Sequence, residues 1–269
     1  MDLDELLAVA RLAADAGAEA AMRWRRRAEE LTIEEKAGPD DLVSQADREA
    51  ERVIRAVLAA HRPHDGVLGE EDGDAAGRSG IRWVVDPIDG TTNYLYGRPD
   101  WAVSVAAARV DGDELLAGVV AEPMLGRVTA ARLGGGTWSG GVRLPRLRAT
   151  DLSRTLIELN LGRGAQKSRA GRMVDALVPR VRDVRRGGSA ASALAQLADR
   201  RVDAVWVPGL SPWDCAAGVL LVREAGGQVG DLAGPSPGTW PASGDVLAAP
   251  EGLWETLRNL LFDAYADVA

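Results

Sequence analysis

A single cysteine, Cys215, leaves this 269-residue chain without an intrachain disulfide and without the thiolates of a zinc cluster. Histidine is almost as scarce. His61 and His64 sit beside Pro63 with neither a cysteine nor a third histidine near them in sequence, and they read as surface residues at a helix end. No apolar run approaches the roughly 20 residues that a membrane helix needs. The acidic opening, Met1-Asp-Leu-Asp-Glu-Leu-Leu, lacks the basic start and apolar core of a signal peptide. Basic excess is missing too: 32 Lys and Arg face 40 Asp and Glu, a net charge of −8. Nucleic-acid and anionic-membrane surfaces call for the opposite sign, so neither is expected as a partner. These absences give the expectation of a cytoplasmic protein.

What is present is ordinary for a globular chain, with 46% hydrophobic and 27% charged residues. Two basic runs stand out. Arg23 to Arg27 (Arg-Trp-Arg-Arg-Arg) reads as a solvated helix face. Arg180 to Arg186 lies beside a glycine turn and stays open as a substrate contact.

Apolar positions Leu3, Leu6, Leu7, Ala10 and Ala14 recur at helical spacing and predict a helix from 3 to about 30. Gly38 and Pro39 predict a turn over Lys36 to Asp41, and a second helix follows from Ser44 to about Ala60. A short strand over 66–69 leads through a loop into strands at 81–86, 101–111, 114–122 and 127–133, with glycine turns at 134–136 and 140–141. From about 147 strands and helices alternate: strands near 155–159, 181–185, 202–207, 227–231 and 245–249, helices near 168–177, 189–198, 213–225 and from Pro250 onward. The pattern predicts one unit of layered helix and sheet, with a first lobe at about 1–146 and a second at about 147–269.

Chemistry concentrates in Asp86-Pro-Ile-Asp-Gly-Thr-Thr-Asn93. A β-type run delivers Asp86 and Asp89 around a proline that cannot donate a hydrogen bond. Paired acids suit hard divalent cations, and the amides just beyond suit a phosphate. The same four residues also fit a turn after a strand, with Asp as its cap. Glu70-Glu71 likewise ends an apolar run, and Asp214 opens the Ala-rich helix of Trp213-Asp-Cys-Ala-Ala-Gly218, where the helix dipole also favours an acid. Ser44-Gln-Ala-Asp47 has capping-box spacing. Two patterns are set aside. Gly162-Arg-Gly-Ala-Gln-Lys-Ser168 has Gln166 where a nucleotide loop needs glycine, and Ser189 has no nucleophile-elbow context.

Taken in order, these motifs, with Gly188-Ser-Ala190 and Glu224-Ala-Gly-Gly227, resemble the inositol monophosphatase family of metal-dependent, lithium-sensitive phosphatases, from about Lys36 to Gly227. The resemblance implies a layered αβαβα sandwich, commonly dimeric. It implies that Glu70, Asp86 and the Ile88 carbonyl hold one Mg²⁺ and that Asp86, Asp89 and Asp214 hold a second. Glu70 assists as base or holds a third ion. Thr91, oriented by Asp47, helps activate the attacking water. Asp89, Gly90 and Thr91 meet the phosphate, with Gly188, Ser189 and Ala190 on the substrate side. One position departs from the pattern. Members that select inositol carry a glutamate seven residues before the Trp-Asp aspartate, and here that residue is Val207. The implied activity is therefore hydrolysis of a small phosphorylated alcohol, inositol 1-phosphate first. Histidinol phosphate, fructose 1,6-bisphosphate and 3′-phosphoadenosine 5′-phosphate are the alternatives within the family, and Thr92 leans toward the inositol branch. A non-catalytic regulator of the same fold is the alternative from another class.

Overall fold

The computed structural model describes residues 2–38, 41–111, 114–162 and 167–266. Helix α1 (Leu3–Arg25) starts where the Asp2 side chain accepts from the amides of Asp4 and Glu5, so two of the four unpaired N–H groups of the first turn are satisfied. Its buried stripe, Leu6, Val9, Ala10, Ala13, Ala14, Gly17, Ala20 and Ala21, packs on α2 (Gln45–His61) and on a sheet below. The helix stops short of the predicted residue 30, where a single 3-10 turn, Ala28–Glu30, takes over.

The predicted turn at Lys36 to Asp41 is instead flanked by a hairpin, β1 (Ile33–Gly38) with β2 (Asp41–Ser44), and residues 39 and 40 lie outside the described residues. Its first strand is an exposed Ile-Glu-Glu run without alternation, so it carries no strand signal. The composition-based loop after Glu71 also hides a short strand, β4 (Gly73–Ala75). It pairs with β3 (Gly66–Gly69) at one edge of an eight-stranded sheet.

That sheet continues through β5 (Ile81–Asp89), β6 (Ala102–Arg109), β7 (Glu114–Glu122), β8 (Arg127–Arg132), β9 (Gly136–Ser139) and β10 (Val142–Arg143), adjacent in space as in sequence and antiparallel throughout. Only β3 and β5 run parallel. A second sheet of six strands has the order β12 (Asp183–Arg185), β11 (Leu156–Leu159), β13 (Ala204–Val207), β16 (Val246–Pro250), β14 (Gly227–Asp231) and β15 (Gly234–Pro235). Parallel pairing is confined to β11 with its two neighbours.

Helices α5 (Ala190–Ala198) and α6 (Pro212–Glu224) lie between the two sheets, and α4 (Lys167–Leu177) with α7 (Glu251–Ala266) covers the far side of the second. The layers read αβαβα, as the resemblance implies. A helix pressed between two sheets has no wet side, which is why α6 is apolar all round from Cys215 to Val222. Close approach also requires small residues. A Cβ on Gly118 of β7 would stand 3.1 Å from the backbone of Ala217 in α6. Three buried clusters fill the spaces between the five layers.

Candidate active site

In a regular strand residues three apart face opposite sides of the sheet. Asp86 and Asp89 escape this rule because the register of β5 against β6 slips between them: Asp86 pairs with Ser104 and Asp89 with Ala102. One extra residue sits in the ladder at Pro87-Ile88, a bulge where proline has no donor to forfeit. The Ile88 N–H turns back to Asp86 Oδ1 at 3.0 Å. Parallel pairing of β3 with β5 then carries Glu70 alongside, its N–H donating to the Val85 carbonyl at 3.3 Å. The third acid comes from α6. Asp214 and Ser211 form a capping box in which Asp214 Oδ2 accepts from the Ser211 N–H at 2.6 Å. Ser104 Oγ of β6 donates to the Trp213 carbonyl and ties this first helical turn to the sheet.

Carboxylate oxygens of Asp86, Asp89 and Asp214 lie within 4.8 Å of one another. Asp86 is fully buried, and its Oδ2 has no hydrogen-bond partner. Burial, and then the charges of Glu70, Asp89 and Asp214, push its pKa well above the ordinary carboxylate range. An orphaned buried oxygen among like charges fits a hard divalent cation, which takes such oxygens as ligands.

Asp89 is held from the other side. Its Oδ2 accepts from Ser189 Oγ and from the Ala191 N–H, both at 2.6 Å, at the start of α5. Ser189 therefore turns its hydroxyl to Asp89, while Gly188 and Ala190 line the cleft above. Gly90 caps a one-turn helix, α3 (Thr91–Leu95), at φ +96°, and a Cβ there would stand 3.2 Å from the Asp100 carbonyl. Glycine is required at 90 on both counts. Thr91 Oγ1 lies 3.3 Å from the Ile88 carbonyl and 3.4 Å from Asp47 Oδ1, so the residues predicted to work together do meet. Asp47 is buried at the start of α2, where its Oδ2 accepts from the N–H and the hydroxyl of Ser44. Burial raises its pKa to about 6 against the pull of those hydrogen bonds.

Three supporting residues were not singled out by the sequence. Ser211 fixes Asp214. Asn93 Nδ2 donates to the carbonyls of Asp100 and Gly187 and so ties α3 to the turn before α5. Glu51, wholly buried, accepts from the amides of Glu71 and Asp72 at 2.8 and 3.0 Å and from Arg55 Nε at 2.8 Å. Helical spacing from Asp47 to Glu51 to Arg55 is the signal that could have found it. The cleft has a volume of about 470 Å³, and its lining includes Glu70, Asp89, Gly90, Thr91, Gly188, Ala190, Val207 and Asp214. The set-aside segment 162–168 borders it at Gly162 and Lys167, and its residues 163–166 lie outside the described residues.

Raised carboxyl pKa values have a consequence for the metal-free protein. Between about pH 4 and the folded values, the native state keeps protons on Asp86 and Asp47 that the unfolded chain has released. Their contribution to stability is therefore largest at low pH and is lost as pH rises through that window, levelling off above about 6 for Asp47. Melting curves in chelator from pH 5 to 7 are expected to show a steeper fall for the wild type than for Asp86→Asn. Equal slopes would contradict this account of the buried charge.

The fold and the site define a phosphoric monoester hydrolase of layered α/β architecture, and comparison with known proteins gives the lineage. The profile of the inositol monophosphatase family matches residues 2–265. The inositol-1-monophosphatase of Mesorhizobium japonicum is 44% identical over 201 residues, 73% of this chain and 74% of that one. The Nus factor SuhB of Xylella fastidiosa is 40% identical over 197 residues, 72% of this chain and 70% of that one. The crystal structure of the extragenic suppressor protein suhB from Bartonella henselae superposes with a TM-score of 0.90 at 33% identity, covering 95% of this chain and 98% of that one. The chain belongs to the inositol monophosphatase family, whose members are metal-dependent and act on small phosphorylated substrates. Among the described residues no helix is long and apolar enough to cross a membrane.

Proposed function

We infer that the protein is a Mg²⁺-dependent phosphomonoesterase acting on a small phosphorylated alcohol, with inositol 1-phosphate as the first substrate to test, and that the whole chain works as one catalytic unit. The observation that carries this reading is the orphaned Asp86 Oδ2 in a cluster of three carboxylates at a cleft with glycine and amide walls. Glu70, Asp86 and the Ile88 carbonyl would hold one ion, and Asp86, Asp89 and Asp214 a second, with Glu70 also placed to serve a third. Bound there, such ions supply positive charge against phosphoryl oxygens and lower the pKa of water toward neutrality. Thr91, oriented by Asp47, would help activate the attacking water. Gly90 and Thr91 offer amides to the phosphate at the start of α3, and Gly188 with Ala190 bounds the alcohol. Lithium sensitivity, a dimer and a cytoplasmic setting belong to the same proposal through family membership.

Phosphate release from inositol 1-phosphate, glycerol 2-phosphate and histidinol phosphate, measured with Mg²⁺ and with chelator, tests it. Metal-dependent turnover of at least one ester is expected. Folded protein inert on every monoester would instead favour a regulatory role through a protein partner, the reading that the name of the Xylella relative supports.

Val207 ends β13, is 2% exposed, and presents an isopropyl group to the cleft. It cannot accept a hydrogen bond from a sugar hydroxyl, and discrimination between polyols rests on such bonds. Val207→Glu is expected to raise the kcat/KM ratio of inositol 1-phosphate to glycerol 2-phosphate by about tenfold. An unchanged ratio would count against the pocket assignment.

A further inference from the structure

The charges on the cleft wall do not all belong to the acidic cluster. Beside Glu70, Asp89 and Asp214, the lining includes Arg186 and Lys167. Within the basic run 180–186, other arginines are engaged elsewhere: Arg180 donates to the Ala176 carbonyl and Arg185 pairs with Asp183. Arg186 is exposed and, among the described residues, makes no hydrogen bond and no ion pair. The buried Glu158 lies near enough to feel its charge, but Glu158 Oε1 already accepts from the Gly187 N–H. The Arg186 guanidinium is folded back over the turn that leads to the acidic cluster. Its Nη1 lies 3.7 Å from where a Cβ on Gly188 would stand, and Gly188, at φ +98°, borders the same cleft. The lining also includes Val207, Leu210 and Trp213, whose side chains offer sugar hydroxyls no acceptor.

We propose that Arg186 forms a second anion subsite at the cleft mouth, and that the preferred substrates are phosphomonoesters whose alcohol carries a further phosphate or carboxylate. This rests on the phosphatase reading, since the first phosphate is the one placed at the acidic cluster. Once cations neutralise the acids, the Arg186 guanidinium remains on the described wall as an exposed positive group. A guanidinium gives planar, paired donors to an oxyanion, which a neutral polyol cannot match. On a chain of net charge −8 this local reversal of sign draws anions to one place.

Two matched pairs separate the possible anions: glucose 1,6-bisphosphate against glucose 1-phosphate, and 2-phosphoglycerate against glycerol 2-phosphate. In Mg²⁺, kcat/KM for the doubly anionic member of at least one pair is expected to exceed its match by roughly ten- to a hundredfold, the range of a charge-assisted hydrogen bond. Arg186→Ala should bring that ratio close to one, and Arg186→Lys should keep part of it. A wild-type ratio near one for both pairs, or a ratio unmoved by Arg186→Ala, overturns the subsite. Calorimetric titration of the same esters reads binding without turnover. If no ester releases phosphate, the phosphatase reading falls, while tighter binding of the dianionic esters that is lost in Arg186→Ala still upholds the subsite. Equal affinities overturn it.

Discussion

Asp214→Asn and Asp89→Asn are each expected to lower kcat by about a thousandfold while leaving the fold intact, the scale on which bound ions stabilise transferring charge. The two acids come from different layers, a strand of the first sheet and the helix between the sheets. Asparagine keeps an oxygen for the Ser211 N–H at position 214 and for the Ser189 hydroxyl at position 89, so both local hydrogen-bond sets survive. What disappears is charge. Each substitution also removes a like charge from the surroundings of Asp86. Melting temperature in chelator should therefore hold or rise as activity falls. Turnover near the wild-type level in either variant would sink the assignment of these residues as metal ligands, and a lost fold would show that the acids serve structure instead.

Glu51→Ala is expected to show the reverse pattern, a large loss of stability with function failing as a consequence. Glu51 is wholly buried, and removing it strands the partly buried Arg55 and the amides of Glu71 and Asp72. Breaking such a pair costs about 3 kcal/mol, which for a chain of this size lowers the melting temperature by roughly 6–10 °C. The same side chain sets where β3 ends. A Cβ on Gly69 would collide with the Glu51 carboxylate, so strand end and carboxylate are fitted to each other, with Glu70 next in line. Loosening this anchor should raise the Mg²⁺ concentration needed for half-maximal activity by ten- to a hundredfold, as losses behind metal ligands do. Glu51→Gln, which keeps one acceptor, should fall between. A melting temperature and a Mg²⁺ midpoint close to wild type in Glu51→Ala would refute both halves of the argument.

Sequence and structure agree best where chemistry forces particular residue types. Asp86, Asp89, Glu70 and Asp214 were visible because acids at strand and helix ends have few other reasons to recur in that order, and the glycine-threonine segment marked the turn beside them. The layered architecture followed from helical spacing and from the switch to alternating elements after about 147. Glu51 was not visible, because on paper a buried glutamate looks the same as the solvated acids around it in α2. Nor was the slip in β5. Asp-Pro-Ile-Asp does not say that its two acids share a face, and only the pairing of Asp86 with Ser104 and Asp89 with Ala102 shows it. The first strand of the hairpin was hidden by exposed, charged residues whose pairing is decided by β2 rather than by their own preference. The run Arg180 to Arg186 stands open in the sequence as a substrate contact, and only the structure singles out Arg186 within it, by its place on the cleft wall.

One oxygen of each of four aspartates is fixed by the fold. Ile88 N–H holds Asp86, Ser189 and Ala191 hold Asp89, Ser211 holds Asp214, and Ser44 holds Asp47. Asp86, Asp89 and Asp214 form the acidic cluster, so its carboxylates are oriented before any ion arrives. A cage of fixed span is selective by size. On the Mg²⁺ reading proposed above, such a cage would favour the small cation that demands near-octahedral oxygens at short distance over Ca²⁺, whose longer bonds and higher coordination number call for ligands that can give way.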